Sequence, residues 1–214
     1  DDVVIPGYAR LAAEAHVHGT KVFAQLHHGG REAHRQGDGT LPVPVAPSAI
    51  PNERFLMMPR ELSVSRIREI IDCFVSAADR MRRAGVDGVE IVASHGYLPA
   101  QFLNPNTNQR TDEFGGDLAG RSRFLREIVT GVRAAVGSEL AVGVRISVDE
   151  HSYDGLPAED AVEAIASLDR DDLIDYVSVV SGSSASYEGS HHIVPSMAHE
   201  VGYVAPQSAL MKAA

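Results

Sequence analysis

The feature that most constrains the fold is a short apolar run that passes directly into a long polar loop, between residues 89 and 116. It reads VEIVASHGYLPAQFLNPNTNQRTDEFGG, which predicts a buried strand that delivers polar side chains into the loop behind it. His95 and Tyr97 stand two residues apart, just past that strand. Because parallel sheets and barrels carry catalytic groups at the carboxyl ends of their strands, both residues are candidates for catalysis.

Helical and strand patterns alternate along the rest of the chain. Apolar residues at helical spacing predict helices over residues 3–18, 63–83, 120–136 and 157–168. Short apolar runs predict strands over residues 22–26, 89–94, 140–146 and 175–180. Ser63 is expected to cap the second helix and Gly85 to end it. Each strand–helix–strand step fits a right-handed crossover, so the pattern predicts an α/β fold with parallel strands and flanking helices.

Composition and charge exclude several classes of protein. The formal charge of −10 and the pI near 5.4 argue against nucleic-acid binding, which needs clustered Lys and Arg. No apolar run approaches the roughly 20 residues of a membrane span, and the amino terminus lacks a signal-peptide pattern, so a cytoplasmic location is expected. A small-molecule substrate is therefore the expected partner, and a homo-oligomer is left open.

The chain contains a single cysteine, Cys73, so it has no disulfide framework and no cysteine cluster for a metal. Cys73 stands inside an apolar helical pattern. We therefore expect its side chain to be buried.

A resemblance to a known family is carried by one long run, SHGYLPAQFLNPNTNQRTDEFGG. This run resembles the signature of the old yellow enzyme family of FMN-dependent oxidoreductases, especially the branch with 2,4-dienoyl-CoA reductase and trimethylamine dehydrogenase. The resemblance implies approximately the third to sixth strands of a (β/α)8 TIM barrel. A complete barrel typically needs about 250 residues. Residues 1–214 are therefore expected to be the central part of a single flavin-binding barrel, incomplete at both ends.

The resemblance also implies roles for particular residues. Gln25 matches the glutamine that contacts the pyrimidine edge of the flavin, where an amide can donate and accept at once. Arg145, near the end of a predicted strand, matches the arginine beside the flavin N1 and C2 carbonyl, where it would stabilise the reduced cofactor. Tyr97 matches the tyrosine that delivers a proton to the substrate. His95 matches a donor to the substrate's carbonyl oxygen.

Structural alternatives remain open for these residues. Gln25 could cap a strand end, Arg145 could form a buried ion pair, and Tyr97 could serve as packing. His28 is interpreted as structural, hydrogen-bonded to the backbone.

One position departs from the family pattern. Val92 stands where many relatives carry the second donor to the substrate's carbonyl, and a valine offers no hydrogen bond. His191 and His192, in a loop predicted after the last strand, are the candidates to complete that site.

The predicted function is an FMN-dependent oxidoreductase that reduces activated C=C bonds, in enones or in enoyl or dienoyl thioesters, with NADH or NADPH as the reductant. No metal site is predicted within the chain; 4Fe–4S and FAD groups would belong only to flanking domains. One alternative is an amine- or alcohol-oxidising flavin dehydrogenase of the same family. Another is a non-catalytic, truncated barrel fragment that binds partners through its open sheet edges.

Overall fold

The computed structural model describes residues 1–32 and 37–214. After a 3-10 turn at Asp2–Val4, the helices are α1 (Ile5–His16), α2 (Val64–Arg83), α3 (Leu98–Leu103), α4 (Leu118–Val136), α5 (Ala158–Asp169), α6 (Tyr187–Ile193) and α7 (Ala205–Lys212). The strands are β1 (Phe23–Leu26), β2 (Val45–Ala46), β3 (Arg60–Glu61), β4 (Gly88–Ala93), β5 (Ala141–Asp149) and β6 (Tyr176–Ser181).

Four strands form one parallel sheet in the order β1-β4-β5-β6. Helix α2 connects β1 to β4, α4 follows β4, and α5 connects β5 to β6. Strands β2 and β3 form a separate two-stranded parallel sheet in the long segment before α2. Consecutive parallel strands joined by helices are the repeating unit of a (β/α)8 barrel, so the predicted fold class is confirmed: the chain forms part of such a barrel.

Local signals place the ends of α2. The Ser63 hydroxyl accepts a hydrogen bond from the Arg66 backbone N–H, which caps the helix as predicted. Past the last turn, Gly85 adopts a φ of +77°, a conformation that a residue with a side chain rarely takes. Between these ends, one apolar stripe packs the helix onto the sheet; its buried members are Ile67, Ile70, Ile71, Phe74, Ala78 and Met81.

The two faces of the sheet differ in chemistry. Along β5, Val142, Val144, Ile146 and Val148 belong to the hydrophobic core beneath the helices. Because side chains alternate along a strand, Gly143, Arg145 and Ser147 point to the opposite face. That face corresponds to the interior of a barrel, and it carries the polar side chains from which the candidate site is built.

Two interior glycines make room for aromatic rings. A methyl group on Gly88 would lie 2.4 Å from the Phe23 ring, and one on Gly143 would lie 2.2 Å from the Tyr176 ring. The two rings meet edge to face with centroids 5.7 Å apart. The small residues therefore allow Phe23 and Tyr176 to lie across the interior face of the sheet.

Three expectations from the sequence are wrong. Strand β5 continues to Asp149, so Arg145 lies in the middle of the strand and not near its end. Cys73 is exposed, because it lies beside the buried stripe of α2, near the edge strand β1. His191 and His192 lie on helix α6 and not in a loop; Ser186 begins that helix by accepting from the Gly189 N–H.

In the described ranges, we find no helix that combines the length and the apolar character needed to cross a membrane.

Candidate active site

A buried carboxylate occupies the centre of the interior face. Glu90, on β4, is 7% exposed, and its Oε1 accepts a hydrogen bond of 2.7 Å from Gln25 Nε2 on β1. The same oxygen lies 3.7 Å from Arg145 Nη1 on β5. Gln25 and Arg145, which the sequence resemblance assigns to one cofactor, therefore have their tips on either side of one atom, well within the roughly 10 Å length of a flavin ring.

Strand β6 completes this polar group. Arg145 Nη1 donates to Ser178 Oγ at 2.9 Å. The phenol of Tyr176 reaches toward Glu90, and its pKa is raised above the usual value, first by burial and then by the negative charge of Glu90. Arg145 thus takes part in an ion pair, the structural alternative that the sequence left open. Its side chain nevertheless remains 30% exposed and accessible from the interior face.

His95 is held at the carboxyl end of β4 in an unusual backbone conformation. Its φ is +60°, in the left-handed region that non-glycine residues rarely adopt. The His95 N–H donates to Ser147 Oγ at 3.0 Å, and Ser147 Oγ donates to the Gly182 carbonyl at 2.8 Å. The His95 carbonyl accepts from the Ser184 N–H at 2.9 Å. Contacts from β5 and from the segment after β6 therefore fix the position of this residue.

The His95 imidazole is uncharged near neutral pH. Burial lowers its pKa below the usual value, the positive charge of Arg145 lowers it further, and the Gly182 carbonyl opposes them more weakly. Nδ1 of this ring is buried and has no hydrogen-bond partner among the described residues. A neutral imidazole carries one N–H, so the partnerless Nδ1 donates to a bound molecule in one tautomer and accepts from it in the other.

Tyr97 lies beside His95 at the start of α3. The two rings meet edge to face with centroids 6.3 Å apart, and His27 at the end of β1 lies 5.4 Å from the Tyr97 ring. The next residue, Leu98, donates its N–H to the His28 carbonyl at 2.9 Å. His28 itself accepts from the Gly30 N–H at Nδ1, which agrees with its predicted structural role. The loops that follow β1 and β4 are therefore bonded to each other.

The long loop after α3 is a scaffold. Arg110 is buried, pairs with Asp112, and donates to the Pro47 and Leu62 carbonyls at 2.8 and 2.6 Å. Asn108 Nδ2 donates to two further backbone carbonyls at 2.7 Å each. These contacts hold the loop to the segment that precedes α2.

His192 packs away from His95 and Tyr97 in a cluster of its own. Its ring stacks on His151 with centroids 3.5 Å apart and contacts His199 at 4.9 Å. His191 is exposed. Within the described ranges, no group of three or more His, Cys, Asp or Glu side chains is arranged to hold a metal ion. No contact recorded for the described residues joins either candidate histidine to the His95–Tyr97 pair.

Sequence reasoning missed two residues that the structure places in the site. Glu90 has a usable signal: a charged residue within the apolar run VEIVA needs a partner, the same argument that singled out Arg145. Ser147 has no such signal, because a serine near a strand end is unremarkable. Its role depends on hydrogen bonds to His95, 52 positions before it, and to Gly182, 35 positions after it.

The donor set fits a flavin. Gln25 Oε1 and Arg145 Nη2 have no hydrogen-bond partner among the residues that the structure describes, so an amide oxygen and a cationic donor remain available on the interior face. A flavin's pyrimidine edge has donors and acceptors next to one another and gains negative charge on reduction. His95 Nδ1, also without a partner among the described residues, is a further polar atom at this site.

Comparison with known proteins agrees with this geometry. The sequence profile described as the NADH:flavin oxidoreductase / NADH oxidase family matches residues 1–204. A metal reductase of Desulforamulus reducens is 48% identical over 147 residues, which cover 69% of this chain and 22% of that protein.

Two solved structures are also similar. The structure of a 2-naphthoyl-CoA reductase with 2-naphthoyl-CoA has a TM-score of 0.87 and 28% identity, covering 100% of this chain and 33% of that one. Histamine dehydrogenase from Rhizobium sp. 4-9 has a TM-score of 0.74 and 33% identity, covering 86% of this chain and 27% of that one.

The chain thus spans about a fifth to a third of the length of these proteins. The profile match extends over nearly all of it, and the polar interior face lies within the matched residues. The chain therefore belongs to the NADH:flavin oxidoreductase / NADH oxidase family, the family of old yellow enzyme, whose cofactor is FMN.

Proposed function

We propose that this chain is the central part of a flavin-binding barrel in an FMN-dependent enzyme that reduces activated C=C bonds, in enones or in enoyl or dienoyl thioesters, with NADH or NADPH as reductant. The observation that carries the proposal is the convergence of Gln25 and Arg145 on the interior face, below His95 and Tyr97 at the carboxyl ends of the strands. The similarity to a 2-naphthoyl-CoA reductase supports a thioester of an unsaturated acid as the substrate class.

In this proposal, Gln25 and Arg145 bind the cofactor, and His95 and Tyr97 act on the substrate. FMN, when bound, supplies the hydride that amino-acid side chains cannot supply. Gln25 binds the cofactor's pyrimidine edge, and Arg145 places a positive charge where negative charge develops on reduction. His95, neutral because burial lowers its pKa, donates a hydrogen bond to the substrate's carbonyl oxygen. Tyr97 holds the proton that its phenol oxygen delivers to the carbon atom next to that carbonyl.

A second candidate function is amine oxidation. Val92 is 4% exposed, lies on the interior face opposite Arg145 in the β4–β5 register, and offers no hydrogen bond to a substrate carbonyl. An amine substrate has no carbonyl to bind, so the missing donor favours this function. The similarity to histamine dehydrogenase points the same way.

Separate assays of the two half-reactions distinguish these functions in the purified full-length protein. Tyr97→Phe keeps the ring and removes only the hydroxyl. For an alkene reductase, we expect it to slow flavin reoxidation by an enone or enoyl thioester by roughly 10²-fold and to leave flavin reduction by NADH or NADPH unchanged. His95→Ala should slow the same half-reaction and weaken substrate binding.

Tyr187→Phe is the matched control, since Tyr187 is 61% exposed on α6 and should leave both half-reactions at wild-type rates. The reductase proposal fails if the Tyr97→Phe enzyme reoxidises at the wild-type rate with every unsaturated carbonyl compound tested. Rapid bleaching of the flavin by an amine, without NADH or NADPH, would establish the second function instead.

A further inference from the structure

We propose that Glu90 is a positioning residue for the cofactor: its carboxylate fixes the Gln25 amide and the Arg145 guanidinium in the orientation in which they meet the flavin, and its charge lowers the flavin's reduction potential. This inference rests on the proposed flavin site. It assigns a function to a residue that touches neither substrate nor cofactor in the proposal above.

The position of Glu90 in the sheet suits that role. Within the β1–β4 register, Glu90 is the direct partner of Gln25, and within the β4–β5 register it is the partner of Gly143. Because Gly143 has no side chain, the Tyr176 ring of β6 crosses that position and approaches the same carboxylate. Side chains from β1, β5 and β6 therefore surround the Glu90 carboxylate and fix its position.

The carboxylate sets which way the Gln25 amide faces. An ionised carboxylate accepts hydrogen bonds and cannot donate them, so the nitrogen of Gln25, and not its oxygen, must face Glu90 at 2.7 Å. The amide oxygen and the second N–H then remain for the cofactor. Without the charge on Glu90, both orientations of the amide would be acceptable, and one of them would present the wrong pattern of donors and acceptors.

The same carboxylate acts on Arg145. Its Oε1 lies 3.7 Å from Arg145 Nη1, which also donates to Ser178 Oγ at 2.9 Å. At this separation, the negative charge of Glu90 offsets part of the field that Arg145 exerts on its surroundings. Removal of the charge should leave Arg145 more effective in stabilising a reduced, negatively charged flavin, and the potential should become more positive.

Glu90→Gln in the full-length protein tests both effects, because it keeps the shape of the side chain and removes only the charge. We expect the dissociation constant for FMN, measured by equilibrium dialysis, to rise roughly three- to tenfold, the factor that corresponds to one hydrogen bond. The midpoint potential of the bound flavin should shift to a more positive value. A residue that only stabilised the fold would change the melting temperature without shifting the potential.

Glu163→Gln is the matched control, since Glu163 pairs with Arg170 on the exposed side of α5 and should change neither quantity. The inference is overturned if Glu90→Gln binds FMN with wild-type affinity and wild-type potential while Gln25→Leu weakens binding. If the wild-type protein binds no FMN, the proposed function itself fails, which is a different result.

A second measurement needs no variant. In crystal structures of the wild-type protein with and without FMN, we expect the Gln25–Glu90 hydrogen bond in both, because the carboxylate arranges the amide before the cofactor binds. A Gln25 side chain that turns away from Glu90 when FMN is bound would overturn the inference, even if Glu90→Gln did not fold.

Discussion

Ser147→Ala should destabilise the protein and displace His95. The Ser147 hydroxyl accepts from the His95 N–H at 3.0 Å and donates to the Gly182 carbonyl at 2.8 Å, both ordinary hydrogen-bond lengths. The residue is 1% exposed, so water cannot readily replace the hydroxyl. Alanine would leave the His95 N–H without its partner and would remove one hydrogen bond from the Gly182 carbonyl.

The magnitude follows from these two lost hydrogen bonds. The unpaired N–H costs about 1–3 kcal/mol and the second lost hydrogen bond about 0.5–1.5 kcal/mol, so the free energy of unfolding should fall by about 3 kcal/mol. His95 also loses a contact that holds its left-handed backbone. In the proposed reaction, a displaced imidazole would no longer donate to the substrate carbonyl. We therefore expect kcat to fall roughly tenfold with an unsaturated carbonyl substrate, the factor that corresponds to about 1.4 kcal/mol.

Urea denaturation followed by circular dichroism measures the stability, and stopped-flow reoxidation of the flavin measures the rate. Ser190→Ala is the control, because its hydroxyl makes a single hydrogen bond, to the Tyr187 carbonyl at the surface of α6. If Ser147→Ala unfolds at the same urea concentration as Ser190→Ala, the Ser147 hydroxyl does not stabilise the fold by joining His95, after β4, to Gly182, after β6.

Two further predictions concern the surroundings of the site. Burial raises the pKa of Glu32 above its usual 4.5, so the folded state binds the proton more tightly than the unfolded state does. The stability that the protonated group contributes is therefore complete below pH 4.5. It is lost as the pH rises through the pKa of the folded state. Glu32→Gln mimics the protonated form at every pH. In urea denaturation at a series of pH values above 4.5, the free energy of unfolding of the variant minus that of the wild type should therefore increase with pH. A difference that stays constant across the series would contradict this. Gly143→Ala should push the Tyr176 ring from its place, since the added methyl lies 2.2 Å from it, and should lower FMN affinity in equilibrium dialysis, whereas Gly7→Ala, in open space on α1, should not.

The sequence alone determined the elements whose signals are local. The Ser63 cap, the Gly85 stop and the 3.6-residue stripe of α2 lie within one stretch of chain, and each was read correctly without knowledge of the rest. The same holds for the alternation of strands and helices. Together with the signature after β4, these features were sufficient for the fold class and for the family.

The tertiary structure alone decided what the interior face contains. In a strand covered on both faces, apolar residues run continuously, and the sequence does not show which alternate positions point inward. Register sets Glu90 between Gln25 and Arg145, residues 65 positions before it and 55 after it. Cys73 and His192 were misplaced for a related reason: their surroundings are set by β1 at the sheet edge and by His151 on a distant loop, and neither contact has a local signal in the chain.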